Sequence, residues 1–235
     1  MIVVAIETST PQTSVAIGSE AGILARISVA GRARQEMVTP ALEQLLARSG
    51  VTLDQVGGIA VGTGPGLFTG LRVGVQTAKT LAQVLAVPIL GFSSLDTLAF
   101  SVRYTQNRIV AIIDGRRGEV FWSAYRALPG GVRRETEPVV CRPEDLAAEL
   151  AKTPEDVLAV GNGAILYRDA LQEIGPQVEF ASATVAHPDA AALAEMAVPR
   201  FQREEHDRLT DIVPTYLRKS DAEIAWDQRA RGASS

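Results

Sequence analysis

The sequence predicts an α/β protein built as two related halves, and three observations carry that reading. Apolar, β-branched runs alternate with stretches of helical spacing along most of the chain. A glycine-rich turn, Gly62-Thr63-Gly64-Pro65-Gly66, leaves an apolar strand and enters a long helix, as in a βαβ crossover. A strand that ends in an acidic residue and a turn occurs twice, at Ile6-Glu7 and at Ile113-Asp114.

Residues 2–6 form an apolar run that ends in Glu7-Thr8-Ser9-Thr10, and residues 13–17 and 23–29 read as two further strands of an antiparallel meander. Residues 35–48 are helical, with Thr39-Pro40 either starting the helix or kinking one already begun, and Gly50 closing it. Met37, Ala41, Leu42, Leu45 and Leu46 share one face of that helix. Residues 58–61 are a strand, and the turn after it needs glycine for its φ values or for a close backbone approach.

The helix beyond the turn runs to just before Pro88 and carries Gly70, Gly74, Ala78, Ala82 and Ala86 at every fourth position, a smooth ridge of small side chains. Each interior glycine costs roughly 1 kcal/mol against alanine, so the ridge has a packing reason. Either a second helix comes unusually near, ridge into groove, or the helix lies on its own sheet. Residues 87–91 follow as a short strand, and a helix over 94–102 has Ser94 as its expected cap and Asp96 in its first turn. The order β-β-β-α-β-α-β-α matches, by analogy, the actin-like and sugar-kinase ATPase domain.

The polar stretch 103–108 is the expected boundary between an N-terminal domain, 1–105, and a C-terminal one, 106–222, with 223–235 as a flexible tail. The second half opens like the first: strand 109–113, Asp114, the turn Gly115-Arg116-Arg117-Gly118, and strand 119–125. A third strand over 132–140, a helix over 143–151 and a strand over 157–160 ending in Gly161-Asn162-Gly163 follow. Helices are expected over 165–173 and 189–203, and 214–218 reads as extended.

A net charge of −4 argues against a broad basic face for nucleic acid while leaving room for a local patch. The single cysteine, Cys141, excludes an internal disulfide framework and a multi-thiolate metal site. The start of the chain lacks a basic leader, and no apolar run approaches the ~20 residues of a membrane span, so a cytoplasmic location is expected.

Known catalytic spacings fail one by one. The glycine turn does not match G-x-x-x-x-G-K-[ST], and Lys79-Thr80 sits three turns into the helix. Gly62, Gly64 and Gly66 are out of register with the dinucleotide fingerprint. His187 and His206 belong to no ligand pair, and Cys141 has no activating motif around it. Glu7 and Asp114, with Thr8 and Arg116, remain a candidate nucleotide site; the acids could hold Mg²⁺ or cap turns, and Arg116 and Arg117 could meet phosphate or form a solvated basic tip.

Four segments resemble the bacterial TsaB (YeaZ) family: Ile6-Glu7-Thr8-Ser9; Gly64 through Gly74 with Ala78-Lys79 and Leu81-Ala82; Asp114-Gly115-Arg116-Arg117-Gly118-Glu119-Val120-Phe121; and Pro214-Thr215-Tyr216-Leu217-Arg218. The resemblance implies an actin-like (ASKHA) fold of two related domains. It also implies a non-catalytic role beside TsaD, which with the ATPase TsaE transfers threonylcarbamoyl from its adenylate to an adenosine next to the tRNA anticodon. No cofactor is required on this reading, with weak ATP or ADP–Mg binding left open. TsaD and related glycoprotease-like proteins carry a metal-binding His-x-x-x-His whose positions fall here on Ser94 and Leu98.

The resemblance further implies that the first helix and the glycine helix pair with TsaD, or with a second copy of the chain when TsaD is absent. The interface set is Val38, Leu42, Leu45, Gly70, Leu71, Gly74, Val75 and Ala78, and tRNA is reached only through the complex. Two positions depart from the family pattern: Glu7 stands where most members have Asp, and Leu67 where most have Ser, leaving Thr69 as a substitute cap. Competing readings are a stand-alone actin-like ATP-binding protein and a glycoprotease-type peptidase.

Overall fold

Two sheets of the same strand order form the framework. In the first, β1 (Ile2–Glu7), β2 (Gln12–Ser19) and β3 (Gly22–Ala30) make the expected antiparallel meander, and β4 (Val56–Gly64) and β5 (Ile89–Ser93) add in parallel beside β1, in the order β3-β2-β1-β4-β5. In the second, β6 (Arg108–Arg116) and β7 (Glu119–Leu128) pair antiparallel with β8 (Gly131–Arg134) outside them, while β10 (Val157–Val160) and β11 (Val178–Phe180) run parallel on the other side of β6. β1 and β6 therefore hold equivalent central places, and Glu7 and Asp114 with them. The computed structural model describes residues 1–31 and 34–218; the expected tail at 223–235 lies outside the described residues.

The expected strand over 132–140 is instead two, β8 and β9 (Val139–Cys141), paired to different stretches of β7. Between them Pro138 has no N–H for a ladder, and Thr136 steps in, its hydroxyl accepting from Ala124 N at 2.8 Å. β11, three residues long, is too short to leave a periodic signal and was not expected.

Helices cover both faces of each sheet. Strand residues alternate, so Val4, Ile6, Val15, Ile17, Ile59 and Val61 face one way and pack under α1 (Val38–Ser49) and α2 (Phe68–Leu85). Val3, Ala5, Ala16, Ala60 and Leu90 face the other way and pack under α7 (Ala190–Gln202). On the second sheet, Ile109, Ala111, Ile113, Phe121 and Tyr125 meet α3 (Ser94–Ser101) through Leu95, Leu98 and Ala99. Its opposite face packs against α4 (Pro143–Leu150) and α6 (Arg168–Gln172) through Leu146, Leu150 and Leu171.

The chain thus exchanges a helix between its halves. α3 lies within 1–105 but covers the second sheet, and α7 lies within 106–222 but covers the first. Packing therefore crosses residue 105 in both directions. The reason is steric: the alanine-rich face of the first sheet accepts a helix whose contact stripe is Ala190, Ala194 and Ala197, and a Cβ on Gly18 would stand 2.8 Å from Ala194 Cβ.

Other boundaries shift locally. The first helix opens with a 3-10 turn over Arg34–Met37, so Thr39 is not its cap, and Gly50 closes it at φ 71°. Ser93, not Ser94, caps α3, accepting from Asp96 N. The expected helix over 165–173 is two short ones, α5 (Asn162–Leu166) and α6, broken at Tyr167.

Candidate functional site

The two acid-bearing turns are built differently. Glu7 is wholly buried. Its Oε1 accepts from Ser9 N at 2.7 Å and its Oε2 from Ser94 Oγ at 3.3 Å. Burial pushes its carboxyl up to about 6, against the pull of those hydrogen bonds. A Cβ on Gly62 would fall 2.0 Å from Glu7 Oε2, so the glycine leaves the room that this side chain fills. A fully buried carboxyl with both oxygens engaged inside the chain fits a metal ion or a phosphate–Mg²⁺ group poorly.

Asp114 is also buried, and its Oδ1 accepts from Arg116 N at 2.9 Å and from Tyr167 Oη at 3.4 Å. Its own N donates to Asn162 Oδ1 at 3.2 Å, and a Cβ on Gly163 would stand 3.1 Å from that nitrogen. Arg116 and Arg117 hold left-handed φ values of 66° and 58° at an exposed turn, with Arg116 Nη1 3.5 Å from Asp114 Oδ2. Each half therefore places a glycine, Gly62 or Gly163, against its acidic turn. Both glycines lie in glycine-rich stretches visible in the sequence, whereas the contacts of Asn162 and Ser94 left no local signal there.

α3 joins the two turns, because Ser94 reaches Glu7 while Leu98 lies 3.1 Å from where a Cβ on Gly161 would stand. Both positions are fully buried. Of the four candidate nucleotide residues, Glu7 and Thr8 belong to the first turn, and Asp114 and Arg116 to the second.

The ridge of small residues faces inward. Thr8 Oγ1 donates to Gly70 O at 2.7 Å, and a Cβ on Gly74 would lie 2.2 Å from Thr8 Oγ1. Ala78 and Ala82 continue the contact on the first sheet, while Ala86 leaves the ridge as an exposed C-cap at φ 53°. Val38, Leu42, Leu45, Leu71, Val75 and Ala78 are at most 6% exposed, and Gly70 and Gly74 are buried with them. The eight residues expected at a partner interface are therefore core residues of the single chain. The spacing predicted close approach correctly, and the neighbour is β1 and its turn rather than another molecule's helix.

Within the glycine turn only Gly64 has a positive φ, 104°; Gly62 and Gly66 are required by close approach, Gly66 to Ser9 O. Leu67 caps α2 without a side-chain bond, and Thr69 supplies none in its place. The extended segment 212–218 closes over this region: Thr215 N donates to Thr63 O at 2.7 Å, Lys79 Nζ to Ile212 O at 3.2 Å, and Tyr216 stacks on Phe68 at 5.0 Å. Arg72 lies over the Phe68 ring and donates to Tyr216 Oη.

His187 Nδ1 meets Thr10 Oγ1, His206 Nδ1 meets Glu204 O, and burial raises the Cys141 thiol above its ordinary range. No group of three metal-ligating side chains occurs among the described residues, and none of their helices is long and apolar enough to cross a membrane.

Comparison with known proteins follows the same lines. Residues 16–226 match the family model described as TsaD, tRNA N6-adenosine threonylcarbamoyltransferase. The chain is 30% identical over 230 residues to the tRNA threonylcarbamoyladenosine biosynthesis protein TsaB of Escherichia coli, covering 96% of this chain and 97% of that one. The solved structure of YeaZ from Pseudomonas aeruginosa superposes with a TM-score of 0.77 at 28% identity, covering 92% of this chain and all of that one. At the level of fold alone, the activator of 2-hydroxyisocaproyl-CoA dehydratase from Clostridium difficile, solved with ADPNP, gives a TM-score of 0.50 at 12% identity. The duplicated sheet order and these neighbours make the fold actin-like (ASKHA), and the chain belongs to the TsaB (YeaZ) family.

Proposed function

We propose that this chain takes part in threonylcarbamoyladenosine formation on tRNA as the non-catalytic partner of a TsaD transferase, acting in the cytoplasm with TsaE. The observation that carries the reading is what fills the positions matching the metal-binding histidines of TsaD. Ser94 is engaged with Glu7, and Leu98 is core, packed with Ile113 and Phe121. A buried leucine offers no ligand atom, and re-opening its site to a metal would break the packing of α3 on the second sheet.

Pairing uses the outward faces of the same two helices whose inward faces form the core. Val84 of α2 is 76% exposed, and beside it Val73 and Leu81 of α2 and Leu46 of α1 are half-buried at the edge of the core, each keeping part of its side chain open to solvent. TsaD docks on this apolar strip, a second copy of the chain takes its place when TsaD is absent, and tRNA is reached through the assembled complex.

Size exclusion with light scattering tests this on the chain alone and mixed with its own organism's TsaD. A heterodimer that replaces any homodimer is expected, and Val84→Asp weakens it at least tenfold without loss of folding. Absence of a complex, or saturable tight ATP binding by the isolated chain, would overturn the reading.

A further inference from the structure

A cleft of about 570 Å³ opens between α7 and the β7–β8 hairpin, with α3 along its side, on the part of the molecule where the two sheets are bridged. It contains none of the acid-turn or glycine-turn residues. Its apolar surface comes from Phe92 and Phe100, each nearly buried, with Val132, Met196 and Pro199. Three guanidiniums line it, Arg134, Arg200 and Arg203, against two carboxylates, Asp96 and Glu195.

Both carboxylates are engaged. Asp96 Oδ1 accepts from Tyr125 Oη at 2.8 Å and from Arg134 Nε and Nη2, and Glu195 pairs with Arg103, which itself stacks on Phe100 at 3.8 Å. Arg200, in the last turn of α7, lies over the Phe92 ring at 5.3 Å, and neither it nor Arg203, just past the helix, is saturated by carboxylates in the same way. Arg200 and Arg203 share one carboxylate, Glu205, and each gives it only Nε, at 2.7 Å. Their terminal Nη groups make no hydrogen bond among the described residues. Basic residues in a last helical turn also complement the helix dipole, but that role needs neither a cleft nor an apolar wall beside it.

We propose that this cleft binds a small organic anion: a compact apolar body seated against Phe92, Val132 and Met196, with its carboxylate or phosphate accepting from the Nη groups of Arg200 and Arg203. The volume falls within the roughly 300–1,000 Å³ of ordinary ligand sites, and paired guanidiniums suit a two-oxygen anion head. Because α7 covers the first sheet and β8 belongs to the second, the bound anion ties the two halves together.

The test is calorimetric titration of the full chain with phenyl phosphate and with benzoate, using inorganic phosphate and benzyl alcohol as controls. Saturable binding of either aromatic anion, tighter than both controls, is expected; the tighter of the two identifies the head group as phosphate or carboxylate. Arg203→Glu and the milder Arg203→Ala, at a side chain 61% exposed, should weaken binding at least tenfold and about threefold respectively. Lys152→Glu, a charge reversal just past α4 and outside the cleft lining, should leave it unchanged. No saturation by about 10 mM, equal binding of either control, or unaltered binding by Arg203→Glu would overturn the proposal.

Discussion

Glu7 shows what burial does to a single side chain. Its carboxyl titrates near 6 in the folded chain and in the ordinary carboxylate range when unfolded, so folding favours the protonated form. The associated stability is fully present below the unfolded value and is lost as pH rises through about 6, a change of about 2 kcal/mol across that window. Glu7→Gln keeps the shape and removes the titration. It should raise stability at pH 7.5 by about 1–2 kcal/mol in urea unfolding and have little effect at pH 4; an unchanged pH profile in this variant would show that another group controls the slope. Gly62→Ala should destabilise by about 2 kcal/mol or more, because its Cβ would meet the Glu7 carboxylate at 2.0 Å in a site with no spare volume.

Along α2, intrinsic propensity and packing point in opposite directions, and packing decides. Alanine at position 74 favours the helix by roughly 1 kcal/mol, yet its Cβ would lie 2.2 Å from Thr8 Oγ1, which is held by its bond to Gly70 O. Gly74→Ala is therefore expected to lower stability, and Gly74→Leu to prevent folding of the monomer. The helix start gives the opposite case. Leu67 has extended cap geometry, φ −69° and ψ 122°, with no side-chain acceptor. Leu67→Ser should gain roughly 0.5–1 kcal/mol in thermal or urea unfolding.

At the scale of the molecule, the helix exchange makes each half depend on the other. A fragment of residues 1–105 keeps its five strands but leaves Val3, Ala5, Ala16, Ala60 and Leu90 without α7, and it exposes Leu95 and Leu98, whose partners lie on β6 and β7. Such a fragment should show no cooperative urea transition, and a separate 106–222 fragment should fail likewise. Cooperative unfolding of either would mean that the exchanged helices are dispensable. The same geometry places Ser94, at the start of α3, against Glu7 of the first sheet while the rest of α3 packs on the second, so substitutions in α3 should be felt in both sheets.

Most strands and helices, their order and the duplicated acidic turn were legible from sequence because they rest on local periodicity and turn chemistry: Gly50 closes α1, Pro143 opens α4 and Asp189 caps α7 where those residue types demand it. The family was legible because its motifs are contiguous. What only the tertiary structure decided is which surface each face meets. A ridge at Gly70, Gly74 and Ala78 states that something comes close, and an apolar stripe on α7 states that it is covered, but neither names the neighbour. Those neighbours, Thr8 for the ridge and the first sheet for α7, lie far away in the chain, and contacts between distant segments leave no period in either one.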